Sequence, residues 1–128
     1  MRSDYGDLKV CPGSTGAWSV EASAFAKSGY LLIGDGTEYS LASSMYYGYG
    51  FQLWAPTGPT FGKANLYVDG SLITLIDYYA AAGQNASMVY QNANLPLGQH
   101  LVQLQATHTK NARASDYRTP WDALKVMR

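Results

Sequence analysis

The sequence predicts an all-β domain: a two-sheet antiparallel β-sandwich of about eight or nine short strands. Three observations predict it. Apolar and polar residues alternate in short runs, the period of a strand with one buried face. Glycine, proline, asparagine and aspartate punctuate the chain between those runs, where turns need them. No repeat of 20–50 residues is visible, which argues against a propeller or a solenoid. The 128 residues make one domain, with enough length for a core that needs no disulfide or metal to support it.

Residues 1–16 are polar and end in Cys11-Pro12-Gly13-Ser14-Thr15-Gly16, so they read as an N-terminal arm or linker ahead of a sandwich domain spanning 17–128. Ala17 to Ala22 alternates, with Trp18, Val20 and Ala22 on one face. Tyr30 to Ile33 is a short apolar run closed by Gly34-Asp35-Gly36, and extended structure resumes over Glu38 to Leu41. Met45 to Trp54 reads as one aromatic strand, with Tyr47, Tyr49, Phe51 and Leu53 on one face. Its alternate glycines, Gly48 and Gly50, mark the close approach of another backbone or a ligand. The centre of the prediction is the hairpin from Gly62 to Ile76. Ala64, Leu66 and Val68 face one way and Lys63, Asn65 and Tyr67 the other, and Asp69-Gly70 supplies a two-residue turn. Asp77 to Asn85 is too short and isolated for a stable helix and reads as a loop, with room for a single helical turn. Ser87 to Gln91 is a strand. In His100 to Thr107, Val102, Leu104 and Ala106 point inward. His108 to Tyr117 is a polar loop, and Trp121 to Met127 is the last strand.

Composition narrows the function. Nine basic and nine acidic residues cancel, so no field draws nucleic acid or an anionic membrane. No run approaches the roughly 18–20 apolar residues of a membrane span. A single cysteine, Cys11, allows no internal disulfide and leaves the redox compartment unread. Met1 to Asp7 has no apolar stretch after its positive charge and does not read as a signal peptide. The expectation is a virion or lysis-released protein, or part of a larger secreted chain.

The string Trp54, Gly58, Gly62, Ala64, Tyr67-Val68-Asp69-Gly70, Gly98-x-His100, Thr109-Lys110-Asn111 and Asp122-Ala123-Leu124-x-Val126 resembles the galactose-binding-like jelly-roll domains. These serve as carbohydrate-binding modules appended to bacterial glycoside hydrolases. The resemblance covers roughly residues 17–127. It implies a jelly-roll sandwich that binds a glycan or polysaccharide without catalysis. It also implies one structural calcium ion, held by Asp122 of the last strand and a first-strand glutamate whose matching position is Glu21. Calcium takes six to eight oxygens, so two carboxylates permit the ion without specifying it.

Aromatic rings stack on the apolar faces of sugars while amides and carboxylates bind the hydroxyls. Because loops carry binding residues more often than strands do, the platform is expected at Tyr78, Tyr79, Tyr117 and Trp121, with Asp35, Asn85 and Asn111 as polar partners. The competing residue-level reading is that such aromatics pack between the sheets. Catalysis finds little support. His100 and His108 lie about 25 Å apart along an extended strand, and no phosphate-cradling glycine loop is present. Asn85-Ala86-Ser87 fits a glycosylation sequon. Five basic and two acidic residues between Lys110 and Arg128 read as a solvated face. A second class of function is a phage virion structural protein, a capsid decoration or tail-surface protein. It would use the same sandwich for assembly or adhesion and attach to virion proteins through its arm.

Overall fold

Alternation in Lys63–Val68 and the turn at Asp69-Gly70 do form the expected hairpin. In this computed structural model Asp69 has φ +52° and Gly70 φ +84°, the left-handed pair that closes a two-residue turn between twisted strands. The structure describes residues 9–10, 18–26 and 29–128, with backbone alone at Lys9, Val10, Val20 and Glu21. These residues form β1 (Lys9–Val10), β2 (Trp18–Ala22), β3 (Tyr30–Gly34), β4 (Leu41–Gly48), β5 (Gly50–Thr57), β6 (Lys63–Val68), β7 (Ser71–Asp77), β8 (Gln84–Asn92), β9 (Gly98–Ala106), β10 (Thr119–Trp121) and β11 (Ala123–Met127). All strand pairings between them are antiparallel. The all-β sandwich is therefore the observed fold, and the stretch 78–83 passes without a helical turn.

One layer is a five-stranded sheet in the order β1-β4-β9-β6-β7. β1 lies inside the stretch expected to be an arm: Lys9 and Val10 pair with Ser43 and Ala42 of β4. The opposing layer is made of β10-β3-β2 and β11-β5-β8. β10 and β11 are one extended run divided at Asp122. Trp121 pairs with Leu32 of β3, Ala123 pairs with Trp54 of β5, and the Asp122 N–H between them donates to the Trp54 carbonyl at 3.0 Å. The last strand thus stitches the two three-stranded sheets together.

The inward residues of both layers build one core. Phe51, Leu53, Leu66, Val102, Leu104, Trp121 and Leu124 are completely buried in it. The inward assignments of Ala64, Leu66 and Val68, and of Val102, Leu104 and Ala106, agree with their burial.

Met45 to Trp54 departs from the expectation of one strand. β4 ends at Gly48 and β5 begins at Gly50, and the two belong to different sheets. Crossing from layer to layer at Tyr49 reverses which side is wet. Tyr47 and Tyr49 are exposed, whereas Phe51 and Leu53 are buried. The glycines do mark close backbone approach. A Cβ on Gly48 would lie 2.3 Å from the Met127 carbonyl oxygen, and one on Gly50 would lie 2.3 Å from that of Asn92.

Candidate functional site

Register decides what meets at each end of the sandwich. Leu41 pairs with Gln105, Ala64 with Ala106, and Lys63 with Asp77. The loops 35–40, 58–62, 78–83 and 107–118 therefore leave the sheets at the same end. Backbone hydrogen bonds knit them together. The Gly62 N–H donates to the Arg118 carbonyl at 2.8 Å, and the Gly62 carbonyl accepts from the Tyr78 N–H at 3.1 Å. Lys63 N–H reaches Thr109 O at 2.9 Å, and Ser115 N–H reaches Pro59 O at 2.8 Å. Loops fixed this way form a preorganised surface rather than a set of loose connections.

Of the residues expected in a binding platform, Asp35, Tyr79, Asn111 and Tyr117 come to this end, and Asn85 lies exposed at the start of β8 beside it. The Asp35 carboxylate accepts from the Thr37 N–H at 2.9 Å and its hydroxyl at 2.6 Å, which holds the 35–40 loop. Asn111 Oδ1 accepts from the Arg113 N–H at 3.0 Å in the same kind of short turn. Tyr117 stacks on His108 with ring centroids 4.0 Å apart and planes 16° apart, and the Lys110 ammonium lies 5.7 Å from the Tyr117 centroid. His108 Nδ1 lies 3.0 Å from the Gly36 carbonyl, which only accepts, so that nitrogen donates. Gly36 has φ +87°, and a Cβ there would fall 2.4 Å from the Tyr117 carbonyl oxygen. Only glycine fits that position.

Two of the expected platform rings are elsewhere. Tyr78 and Trp121 are 0% exposed and belong to the core. Trp121 lies in β10, sandwiched between layers, and Tyr78 turns inward directly after β7, where its burial drives the hydroxyl pKa up. Neither ring is available to a sugar. The expectation failed because the last strand is buried on both sides at that point, not on alternate residues.

The residues expected to hold calcium are only partly in view. Asp122 is buried at the β10–β11 junction, on the face it shares with Leu124 and Val126. The Glu21 side chain lies outside the described residues. Among the described residues no three His, Cys, Asp or Glu side chains form a group that could hold a metal ion.

A cleft of about 220 Å³ opens beside the knitted loops, between the β2–β3 connection, the end of β5 and Gly83. Phe25 and Phe61 are its aromatic walls. Phe25 is 44% exposed, and its ring occupies the place beside Gly83, where a Cβ would meet it at 2.8 Å. The Phe61 ring lies 3.5 Å from the Cβ position of Gly58. Ser23, Thr57, Thr60 and Arg118 add hydroxyls and a guanidinium to this lining. The Ala86 N–H donates to the Phe25 carbonyl at 2.7 Å, which ties the phenylalanine loop to β8. Tyr79 and Tyr117 adjoin this cleft through the chain: Tyr79 bridges to Gly58, and Tyr117 precedes Arg118. Phe25 and Phe61 lie outside the platform expected from sequence, which rests on tyrosine and tryptophan. Their signal was available: each is an aromatic in a loop rich in small residues.

The opposite end carries a close histidine–aspartate pair. His100 Nδ1 lies 2.6 Å from the Asp69 carboxylate, and Nε2 lies 2.7 Å from the Pro96 carbonyl. Both ring nitrogens face acceptors, which favours the doubly protonated imidazolium. The Asp69 hydrogen bond, then that to Pro96, raises the His100 pKa against the opposing effect of burial. Desolvation works against the Asp69 charge, but the bonds from His100 and from the Leu101 N–H outweigh it and lower the Asp69 pKa. Burial, and then the Asp69 charge, lifts the nearby Tyr46 hydroxyl to about 12.

No protein-family model matches the chain, and no curated protein matches it in sequence. Solved structures match its fold. A CBM36-1 domain of a multidomain xylanase from the hindgut metagenome of Trinervitermes trinervoides is 18% identical, with TM-score 0.54, over 94% of each chain. A Paenibacillus xanthan lyase is 15% identical with TM-score 0.66 over 95% of this chain. A Paenibacillus cycloisomaltooligosaccharide glucanotransferase, solved with cycloisomaltoheptaose, is 15% identical with TM-score 0.61 over 98%. This chain spans 13% of the lyase and 19% of the transferase, so in each case it is similar to one part of a much longer chain. At these identities the likeness establishes the jelly-roll fold, which is the fold that the sequence resemblance implied.

Proposed function

We propose that this domain is a non-catalytic carbohydrate-binding module that takes a saccharide in the cleft walled by Phe25 and Phe61. The cleft itself carries the reading. Phe25, nearly half exposed, offers an apolar face to the C–H face of a sugar ring, the buried Phe61 backs the cleft from the core, and Ser23, Thr57, Thr60 and Arg118 offer donors and acceptors to the sugar hydroxyls. Tyr79, Tyr117, Asp35, Asn85 and Asn111 extend the same end outward as contacts for further sugar residues. Arg118 is the ionisable group in the described lining, which includes no carboxylate, histidine or cysteine placed for general acid–base work. That lining suits binding rather than turnover. The fold likeness to a carbohydrate-binding domain over nearly its whole length supports the reading.

Calorimetric titration with a panel of mono- and oligosaccharides tests it. A saturable ligand whose affinity drops at least tenfold in Phe25→Ala, with the melting temperature kept within a few degrees, is the expected result. Binding that is indifferent to Phe25→Ala and to Thr60→Ala would place the ligand elsewhere. Release of reducing sugar from the bound oligosaccharide would make the domain an enzyme.

A further inference from the structure

His100 closes the core at the end of the sandwich opposite the cleft. It is an inward residue of β9, as Val102 is, and it is buried. Tyr46 of β4 is its register partner, and the two ring centroids are 5.6 Å apart. Two segments meet the imidazole. One is the Asp69-Gly70 turn between β6 and β7. The other is the connection 93–97 between β8 and β9, whose Leu95 packs on the core. That connection carries no ionisable side chain.

The ring joins the two segments. Its Nδ1 lies 2.6 Å from the Asp69 carboxylate and its Nε2 lies 2.7 Å from the Pro96 carbonyl. An ionised carboxylate and a carbonyl only accept, so both bonds coexist only while both nitrogens carry protons. The two acceptors do not hold the ring equally. The Asp69 carboxylate is itself fixed, since it accepts from the Leu101 N–H at 2.8 Å while the Asp69 N–H donates to the Leu101 carbonyl at 2.8 Å. A negative acceptor also binds an N–H more strongly than a neutral one does. The neutral ring therefore keeps its proton on Nδ1, and Nε2 turns a lone pair toward the Pro96 oxygen. Those two atoms repel and are too close for a water to bridge them. Among the described residues, the titratable groups facing the ring are Asp69 from the turn and Tyr46 from β4. Tyr46 stays protonated throughout, because burial and then the Asp69 charge lift its hydroxyl to about 12.

We propose that His100 is a proton-operated latch: charged, it ties the 93–97 connection to the Asp69-Gly70 turn across the base of the sandwich, and on losing its Nε2 proton it releases the connection while keeping the turn. The Asp69 hydrogen bond, then that to Pro96, raises the His100 pKa. The latch therefore opens on the alkaline side of the ordinary histidine value of about 6.5. Once released, the connection is held by the Leu95 N–H bond to the Tyr49 carbonyl at 3.0 Å and by the Asn94 N–H bond to Asn92 Oδ1 at 2.9 Å. Both lie on its β8 side, so the movement is concentrated at Pro96 and the exposed Leu97. It loosens the cover over the Tyr46–Phe51 end of the core, where those ring centroids are 5.9 Å apart. The event is local, and it precedes and differs from loss of the fold.

Heteronuclear NMR of the 15N-labelled chain, titrated between about pH 5.5 and 9, tests the latch. At the acid end both His100 ring nitrogens should carry protons. The Leu97 nitrogen shares its peptide with the Pro96 carbonyl, so its shift should move in step with the loss of the Nε2 proton. Exchange of the Leu97 and Gly98 amides, corrected for the intrinsic effect of pH, should quicken at least tenfold across that step, while the Leu101 amide keeps its protection. Asp69→Asn preserves the side-chain shape and tolerates the positive φ of the turn. It removes the charge that holds the proton on Nδ1, so the neutral ring can keep Nε2–H on Pro96 and the Leu97 step should vanish. His100→Asn has no donor that reaches Pro96 and should show the released form at every pH. An imidazole already singly protonated at the acid end, a Leu97 shift that ignores the His100 titration, or a Leu97 step that survives in Asp69→Asn would each overturn the proposal. The wild-type titration decides the matter alone if a variant fails to fold.

Discussion

Trp121, Tyr78 and Phe25 show how one side-chain class divides between packing and recognition. Trp121 and Tyr78 are fully buried, whereas Phe25 is nearly half exposed on a cleft wall. Trp121→Ala should therefore cost about 3–5 kcal/mol in urea unfolding, since it opens a large cavity between the layers. Where that variant stays folded, ligand affinity should change far less than in Phe25→Ala. His100 adds a pH dependence. Its raised pKa means its contribution is complete below the unfolded value and is lost as pH rises through the higher folded one. The lowered pKa of Asp69 means its contribution is present above the ordinary aspartate value and lost as pH falls through the depressed one. Both contributions are complete between roughly pH 4 and 6.5. The denaturation midpoint should fall as pH rises beyond neutrality, and His100→Asn should flatten that decline.

At the scale of elements, the strands were legible and their partners were not. The Lys63–Ile76 hairpin follows from alternation and one Asp-Gly turn, both local signals. The division of Met45 to Trp54 between two sheets is a tertiary event. Its local trace was the pair Gly48 and Gly50, which signalled close approach but not a crossing. Gly50→Ala should test that crossing. A methyl placed 2.3 Å from a carbonyl oxygen forces the β5–β8 ladder apart, and a loss of about 2 kcal/mol or more in chemical denaturation is expected. Gly36→Ala combines a positive φ with a similar collision at Tyr117. It should loosen the His108–Tyr117 stack, read as faster amide exchange across the 107–118 loop. The candidate site was legible only as far as its loops. Sequence placed Asp35, Tyr79, Asn111 and Tyr117 in loops, and register brought those loops to one end. The cleft walls depend on which glycine each phenylalanine covers, and no local pattern encodes that.

For the molecule as a whole, one core shared by both layers should make unfolding a single event, with calorimetric and van't Hoff enthalpies equal. The stitching of both three-stranded sheets by residues 119–127 has a further consequence for the nascent chain. Until that stretch has left the ribosome, β3 and β5 each lack a neighbour, and Leu32 and Leu53 stand on unpaired edges. Synthesis at about 5–20 residues per second leaves those edges open for seconds. Closure of the sandwich in this way waits for residues 119–127, and ribosome-bound chains halted before residue 119 should depend on holdase chaperones where chains with residue 127 clear of the exit tunnel do not.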